Sequence, residues 1–324
     1  MNTALITGIT GQDGAYLSQL LLSKGYTVIG FIRSYNSRNF SKLNYLGIQD
    51  KIIFEECDLM DLSNVMRLLK KYNPDEIYNL SAQSSVSLSF DQPITTLNFN
   101  IVSVANILEA IRYTNPLIKL YQASSSEMYG RVETLPIRES TPFHPLSPYA
   151  VSKASAHWIA VNYRESYNLF VCCGVLFNHE SFLRSKNFFV KKVIRESIEI
   201  AQGKRTFLKV GNIDIKRDYG YSPDYVEAMW LMLQKDAPTD YMICSGSSVS
   251  LRQIIEYVFK RFEISLDKLN IDQVNFRPNE IFDIYGDNSK AKAELNWNST
   301  KSMEEILDLI INEEIANYDK FDVE

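Results

Sequence analysis

The chain has 324 residues, of which 45% are hydrophobic and 23% charged, and this composition excludes a disordered or low-complexity protein. Its length allows one large domain or two joined ones. The formal net charge of −5 excludes a nucleic-acid surface built on bulk positive charge, but not local cationic sites for a small phosphorylated ligand.

The first half alternates short apolar runs with helical patterns. Strands are predicted at Ala4–Thr7, Thr27–Ile32, Ile52–Glu55, Ile77–Leu80, Leu120–Ser124 and Phe170–Leu176. Helices are predicted near 14–24, 61–72, 98–114 and 149–166, the first with Leu17, Leu20 and Leu21 on one face and Gly25 as its stop. Repeated strand, helix, strand implies right-handed crossovers and a doubly wound parallel sheet, an α/β fold of Rossmann type. The strands lack polar alternation, as a sheet covered on both faces requires. After about residue 177 helical patterns dominate, at Phe188–Gln202, Tyr225–Lys235, Leu251–Phe262 and Met303–Tyr318, with short strands at Phe207–Val210 and Tyr241–Cys244. The expected organisation is a dinucleotide-binding domain over 1–177 and a smaller, mostly helical lobe over 178–324. No linker composition separates the two, so they are read as interleaved.

The longest contiguous apolar run, Leu169 to Phe177, falls well short of the roughly 20 residues that a bilayer span needs. Met1-Asn2-Thr3 leads directly into an apolar strand with no basic region, so no secretory signal and no membrane association are expected. Cys57, Cys172, Cys173 and Cys244 have no zinc spacing, and with only three histidines no metal site is expected. Reduced thiols imply a cytoplasmic protein.

Gly8, Gly11 and Gly14 fall where the first strand turns into the first helix, within Gly8-Ile9-Thr10-Gly11-Gln12-Asp13-Gly14. In this context Gly8 permits the tight turn, Gly11 lets backbone approach a pyrophosphate and Gly14 lets helix and strand pack closely. A dinucleotide is the expected ligand. The second strand ends Ile32-Arg33-Ser34, without the acid that an NAD ribose would want. Arg33, helped by Ser37 and Arg38, suits a 2′-phosphate, and the cofactor is read as NADP. Asp58-Leu59 would hold the adenine, and Leu80-Ser81-Ala82-Gln83-Ser84 would run beneath the nicotinamide ribose.

Ser147-Pro148-Tyr149-Ala150-Val151-Ser152-Lys153 places a tyrosine and a lysine one helical turn apart, behind a capping serine and a first-turn proline. An ammonium one turn away, together with an oxidised nicotinamide, would favour the phenolate of Tyr149. One crossover earlier, Ser125 could bond a substrate hydroxyl, and Glu127 is a carboxylate beside it.

These motifs look like those of the extended short-chain dehydrogenase/reductases. More narrowly, several blocks resemble the GDP-mannose 4,6-dehydratases. They are the glycine turn, Gln122 to Glu127, Val161 to Ser166, Leu176-Phe177-Asn178-His179-Glu180-Ser181, Arg217-Asp218-Tyr219-Gly220, Asp224 to Trp230 and Phe276-Arg277-Pro278. The resemblance runs from residue 3 to about residue 310. It implies a catalytic hydroxyl at Ser125, an acid/base at Glu127 and the Tyr149/Lys153 pair. It adds His179 and Arg184 to the NADP contacts. It places a GDP-sugar against Ser84, Ser85, Ser125, Asn178, Glu180, Lys192, Leu208, Gly211, Arg217, Arg277 and Glu280. It also implies a homodimer or homotetramer.

Three features depart from the family pattern. Ser125 stands where the family usually has threonine, Arg33 is followed by Ser34 rather than a second arginine, and Phe182-Leu183-Arg184-Ser185-Lys186 replaces a stretch rich in proline, arginine and glycine. The implied reaction is oxidation at C4, loss of water across C5 and C6, and reduction at C6. A GDP-D-glycero-D-manno-heptose 4,6-dehydratase is the alternative, followed by a nucleotide-sugar 4-epimerase and a non-catalytic NADP-binding protein.

Overall fold

The computed structural model describes residues 2–36, 39–272 and 279–318, so Ser37, Arg38 and Arg277 lie outside the described residues. The N-terminal half runs β1 (Thr3–Thr7), α1 (Gln12–Ser23), β2 (Thr27–Ile32), α2 (Ser41–Tyr45), β3 (Ile53–Glu56), α3 (Leu62–Tyr72), β4 (Glu76–Asn79), α4 (Val86–Asp91), α5 (Pro93–Thr114), β5 (Lys119–Ser125), α6 (Pro148–Tyr167) and β6 (Val171–Leu176). The remainder runs β7 (Asn178–Glu180), α7 (Phe189–Ala201), β8 (Leu208–Val210), β9 (Lys216–Tyr221), α8 (Ser222–Leu233), β10 (Tyr241–Ile243), β11 (Ser248–Ser250), α9 (Leu251–Arg261), β12 (Leu269–Ile271), α10 (Ser289–Leu295) and α11 (Met303–Asn317).

Seven strands form one parallel sheet in the order β3-β2-β1-β4-β5-β6-β10. The order reverses between β1 and β4, and in such sheets ligands bind outside the carboxyl ends at that switch point. Successive residues of each strand serve opposite faces. Ala4 and Ile6 join Leu17 and Leu21 of α1 and Met229 and Leu233 of α8 on one side. Leu5, Ile77 and Leu120 join Leu68 of α3 and Val104, Ile107 and Ile111 of α5 on the other. Both faces are thus covered, which explains the apolar strands. A third core, from Val190 and Ile194, Ile254 and Val258, and Ile306 and Ile310, joins α7, α9 and α11.

Helix α5 differs from the expectation. The helix predicted from 98 begins at Pro93, which sits in its first turn. By length and composition alone this helix could cross a membrane. A search for contiguous apolar runs misses it, because Asn98, Asn100, Ser103 and Asn106 interrupt the sequence. Its buried side instead packs on the sheet, between α3 and α6.

The glycine turn is tied to the second half of the chain. Asp13 on α1 accepts from His179 Nε2 on β7 at 2.8 Å and from Ser222 Oγ on α8 at 2.9 Å. Gln12 donates to His179 O, and Ser181 Oγ donates to Gln12. Burial alone would raise the Asp13 carboxyl. His179, Arg184 and Ser222 outweigh burial and hold it at about 2. The unfolded carboxyl sits near its ordinary value of about 3.9, so the depressed folded value contributes about 2 kcal/mol of stability, fully present above about pH 4 and lost as pH falls toward about 2. Asp13→Asn should therefore lose stability in urea unfolding at about pH 7, and its deficit against the parent should shrink as the pH is lowered to about 3. A deficit that does not change with pH would remove this carboxylate from the acid response.

Candidate active site

At the end of β1, Gly8 adopts φ +69°, and a Cβ there would lie 3.0 Å from the backbone of both Leu80 and Ser81. A Cβ on Gly14 would lie 2.4 Å from Gly8 O, so the turn closes only with glycine at both positions. Gly11 is the N-cap of α1 and provides no side-chain cap. The first amides of the helix are thereby left for an anion.

In front of these amides is a cavity of about 820 Å³. Gly8, Thr10, Gly11, Gln12, Asp13, Gly14, Arg33, Leu80, Ser81, Ala82, Gln83, Ser84 and Arg184, all expected from the sequence, line it. Met60, Asn98, Phe99 and Phe188 line it as well and were not anticipated. Met60 directly follows the expected Asp58-Leu59 pair, whereas the α5 residues carried no local signal. Arg33 stands with its guanidinium 6.0 Å from the Phe99 ring, and Arg184 lies 3.6 Å over Phe188.

Other expected cofactor residues stand behind this wall. Ile9 is fully buried beneath Gly30, so any contact it makes is through backbone. Asp58 is exposed and accepts from Met60 N, and Leu59 is buried. His179 reaches Asp13 and Phe177 O through its two ring nitrogens.

Buried side chains knit the carboxyl ends of the strands together. Thr7 Oγ1 accepts from the amides of Leu80 and Ser81 and donates to Asn79 Oδ1 at 2.6 Å. Asn79 Nδ2 donates to Gln122 Oε1 at 2.8 Å, and Gln122 Nε2 donates to Ala123 O. Lys153 Nζ donates to the same carbonyl at 2.5 Å. Asn100 on α5 bonds both N and O of Gln83, and donates to Ser152 Oγ.

Ser147 caps α6 through the Ala150 amide, and Pro148 occupies its first turn, as the sequence predicts. This brings Tyr149 and Lys153 to the end of β5, where Ser125 is buried and Glu127 is half-buried. Burial pushes the Tyr149 phenol up to about 12, the negative charge of Glu127 adds to this, and the Ser125 hydroxyl and Arg184 pull it down. Burial also pushes the Lys153 ammonium down to about 8. The sequence reading gave Lys153 the task of favouring the phenolate. Within the chain, however, Lys153 is committed to Ala123 O, and Ser125 and Arg184 are the groups that lower Tyr149.

The residues expected at a GDP-sugar are more dispersed. Ser85 caps α4 through Leu88 N. Asn178 donates to Asp218 O, and Lys192 donates to Lys209 O while lining a separate cavity with Lys186, Arg195 and Arg205. Leu208 is fully buried in the third core and offers backbone only. Gly211, just after β8, and Glu280 are half-buried. Glu180 is buried, which raises its carboxyl, and Arg184 opposes that rise. Arg217 is buried, with Nη1 donating to Lys216 O and Ile281 O and Nη2 without a hydrogen-bond partner among the described residues.

Known proteins match the chain along nearly its whole length. The family model for GDP-mannose 4,6 dehydratase matches residues 5–310. GDP-mannose 4,6 dehydratase 1 of Arabidopsis thaliana is 43% identical over 323 residues, covering 96% of this chain and 89% of that protein. GDP-mannose 4,6-dehydratase of Vibrio cholerae is 41% identical, covering 96% and 93%. Among solved structures, dTDP-glucose 4,6-dehydratase from Bacillus anthracis, in complex with NAD, superposes with a TM-score of 0.86 at 21% identity over 99% of both chains, and shares the fold. With a doubly wound sheet, a glycine turn facing a dinucleotide-sized cavity and this full-length match, the chain belongs to the GDP-mannose 4,6-dehydratase family.

Proposed function

We propose that this chain converts GDP-D-mannose to GDP-4-keto-6-deoxy-D-mannose and water, using NADP as a cofactor regenerated in each turnover. The observation that carries the reading is the convergence of Ser125, Glu127, Tyr149 and Lys153 at the carboxyl end of β5, with Ser125 and Glu127 close enough to act on the Tyr149 phenol, as Arg184 does from the cavity wall. A 4-epimerase needs no base at C5, so a carboxylate there favours the dehydratase. The relatives quoted above are named for GDP-mannose, which favours it over the heptose.

The residues fit a nicotinamide dinucleotide. The uncapped α1 amides suit its pyrophosphate, and Arg33 on the cavity wall suits a 2′-phosphate. When bound, the cofactor supplies the hydride acceptor for oxidation at C4 and the donor for reduction at C6. Tyr149 Oη takes the C4 hydroxyl proton, and Ser125 Oγ orients that oxygen. The C4 ketone acidifies the C5 hydrogen, which Glu127 removes as a proton. Glu127 passes this proton to the departing C6 hydroxyl, which leaves as water. The proton held on Tyr149, in exchange with solvent, balances protonation of C5. Lys153, fixed on Ala123 O, holds the nicotinamide ribose.

Residues 1–177 make the dinucleotide domain in this reading and 178–324 the GDP-sugar lobe, with Arg217, whose Nη2 has no hydrogen-bond partner among the described residues, as a cation for the diphosphate. Exposed Ile94, Val102 and Tyr113 on α5 and Val151, Trp158 and Tyr167 on α6 support burial between copies in a homodimer or homotetramer. Four buried, unpaired cysteines support a cytoplasmic setting.

Glu127→Gln keeps the size and loses the proton transfer. With GDP-mannose it should stall after the first oxidation, so that the near-ultraviolet absorbance of reduced nicotinamide accumulates. Tyr149→Phe should fail earlier and accumulate none. Near-normal product formation by Glu127→Gln would remove the C5 base from the mechanism. For the cofactor, mass spectrometry of nucleotide released from the purified protein should find the 2′-phosphate, and Arg33→Asp should weaken NADP binding. Recovery of NAD alone would overturn the NADP assignment.

A further inference from the structure

We propose that Tyr45 and Glu313 are positioning residues that hold the dinucleotide in its cavity, an inference that rests on the cofactor reading above. Two segments border one side of the cavity. One contributes Asn39 and leads into α2, and the other contributes Arg184, Ser185 and Phe188 and leads into α7. They meet where the rings of Tyr45 and Phe182 lie 4.9 Å apart, and where buried Lys42 feels the charge of Arg184.

The C-terminal helix grips both segments with consecutive carboxylates. Glu313 accepts from Tyr45 Oη at 2.5 Å, and Asn317 Nδ2 also bonds Glu313. Glu314 is fully buried, pairs with Lys191 and lies 3.5 Å from Arg195. Lys191 in turn donates to Phe182 O at 2.5 Å, so it anchors the start of the segment that carries Arg184. A five-residue helix such as α2 cannot hold itself. Its place is set by what it packs on, and the Tyr45 to Glu313 bond fixes a ring that abuts the Arg184 segment. Residues 313 and 314 are thus a brace, remote from the chemistry, for the wall that a bound nucleotide meets.

Glu314 is a poor probe, because removing it would leave Lys191 buried without its counter-charge. Tyr45→Phe keeps the ring on Phe182 and removes only the hydroxyl, and Glu313→Gln removes the charge. Each protein is loaded with NADPH and diluted into excess NADP⁺, and loss of bound-NADPH fluorescence gives the release rate. Each single variant should release NADPH about tenfold faster than the parent, the scale of one hydrogen bond to a charged group. The double variant should be no faster than either single one. Turnover at saturating NADP⁺ and KM for GDP-mannose should stay at parent values, which a general loss of structure would not allow. Parent-like release in Tyr45→Phe would overturn the brace and leave the cofactor reading standing. A parent protein that binds neither NADPH nor NADH would overturn the cofactor reading and the brace with it.

Discussion

Buried polar side chains in the middle of a sheet must find partners, and here that requirement fixes the geometry of the site. Thr7, Asn79 and Gln122 stand side by side in register on β1, β4 and β5. Each bonds the next, and the row ends on the carbonyl that also receives Lys153. Leaving any one of these groups unsatisfied would cost about 1–3 kcal/mol. The row therefore sets three things together: the glycine turn at the end of β1, the loop that follows β4, and the lysine of α6. Asn100 repeats the tactic one layer out, joining the Gln83 backbone to Ser152.

The same burial acts on Tyr149 and Lys153 in opposite senses. It raises the phenol and lowers the ammonium, so low dielectric favours the neutral form of both. The two side chains are therefore not locked to each other as an ion pair, and Lys153 commits its ammonium to Ala123 O. Although the chain carries net negative charge, Arg33 and Arg184 face the cavity, as an anionic cofactor requires.

Much of this was legible in the sequence because the N-terminal half follows strong local rules. Strand β2 spans the residues its β-branched run predicted, and α6 begins behind the serine and proline that announce it. The glycine spacing placed Gly8 and Thr10 to Gly14 on the cavity wall. What escaped is what local pattern does not encode. β7 and β11 have three residues each, and β9 begins Lys-Arg-Asp, so none shows the apolar alternation of a strand. Their pairing is decided by the Asp13 and Asp218 hydrogen bonds and by packing from distant residues. A motif also names residues, not atoms, so Ile9 and Leu208 belong to matching segments while their side chains belong to the core.

The parallel sheet takes its last strand from Tyr241–Ile243, after a long excursion through the second lobe. During synthesis, β6 with its adjacent free cysteines Cys172 and Cys173 therefore emerges from the ribosome without its neighbour. Until residue 243 follows, the edge of the sheet is an open row of amides and carbonyls, the kind of surface on which nascent chains pair wrongly. Chain order thus makes the second lobe a timing element in closing the sheet. Gene fragments that stop at the apparent domain boundary end with that edge uncovered, because the strand that covers it lies in the other half.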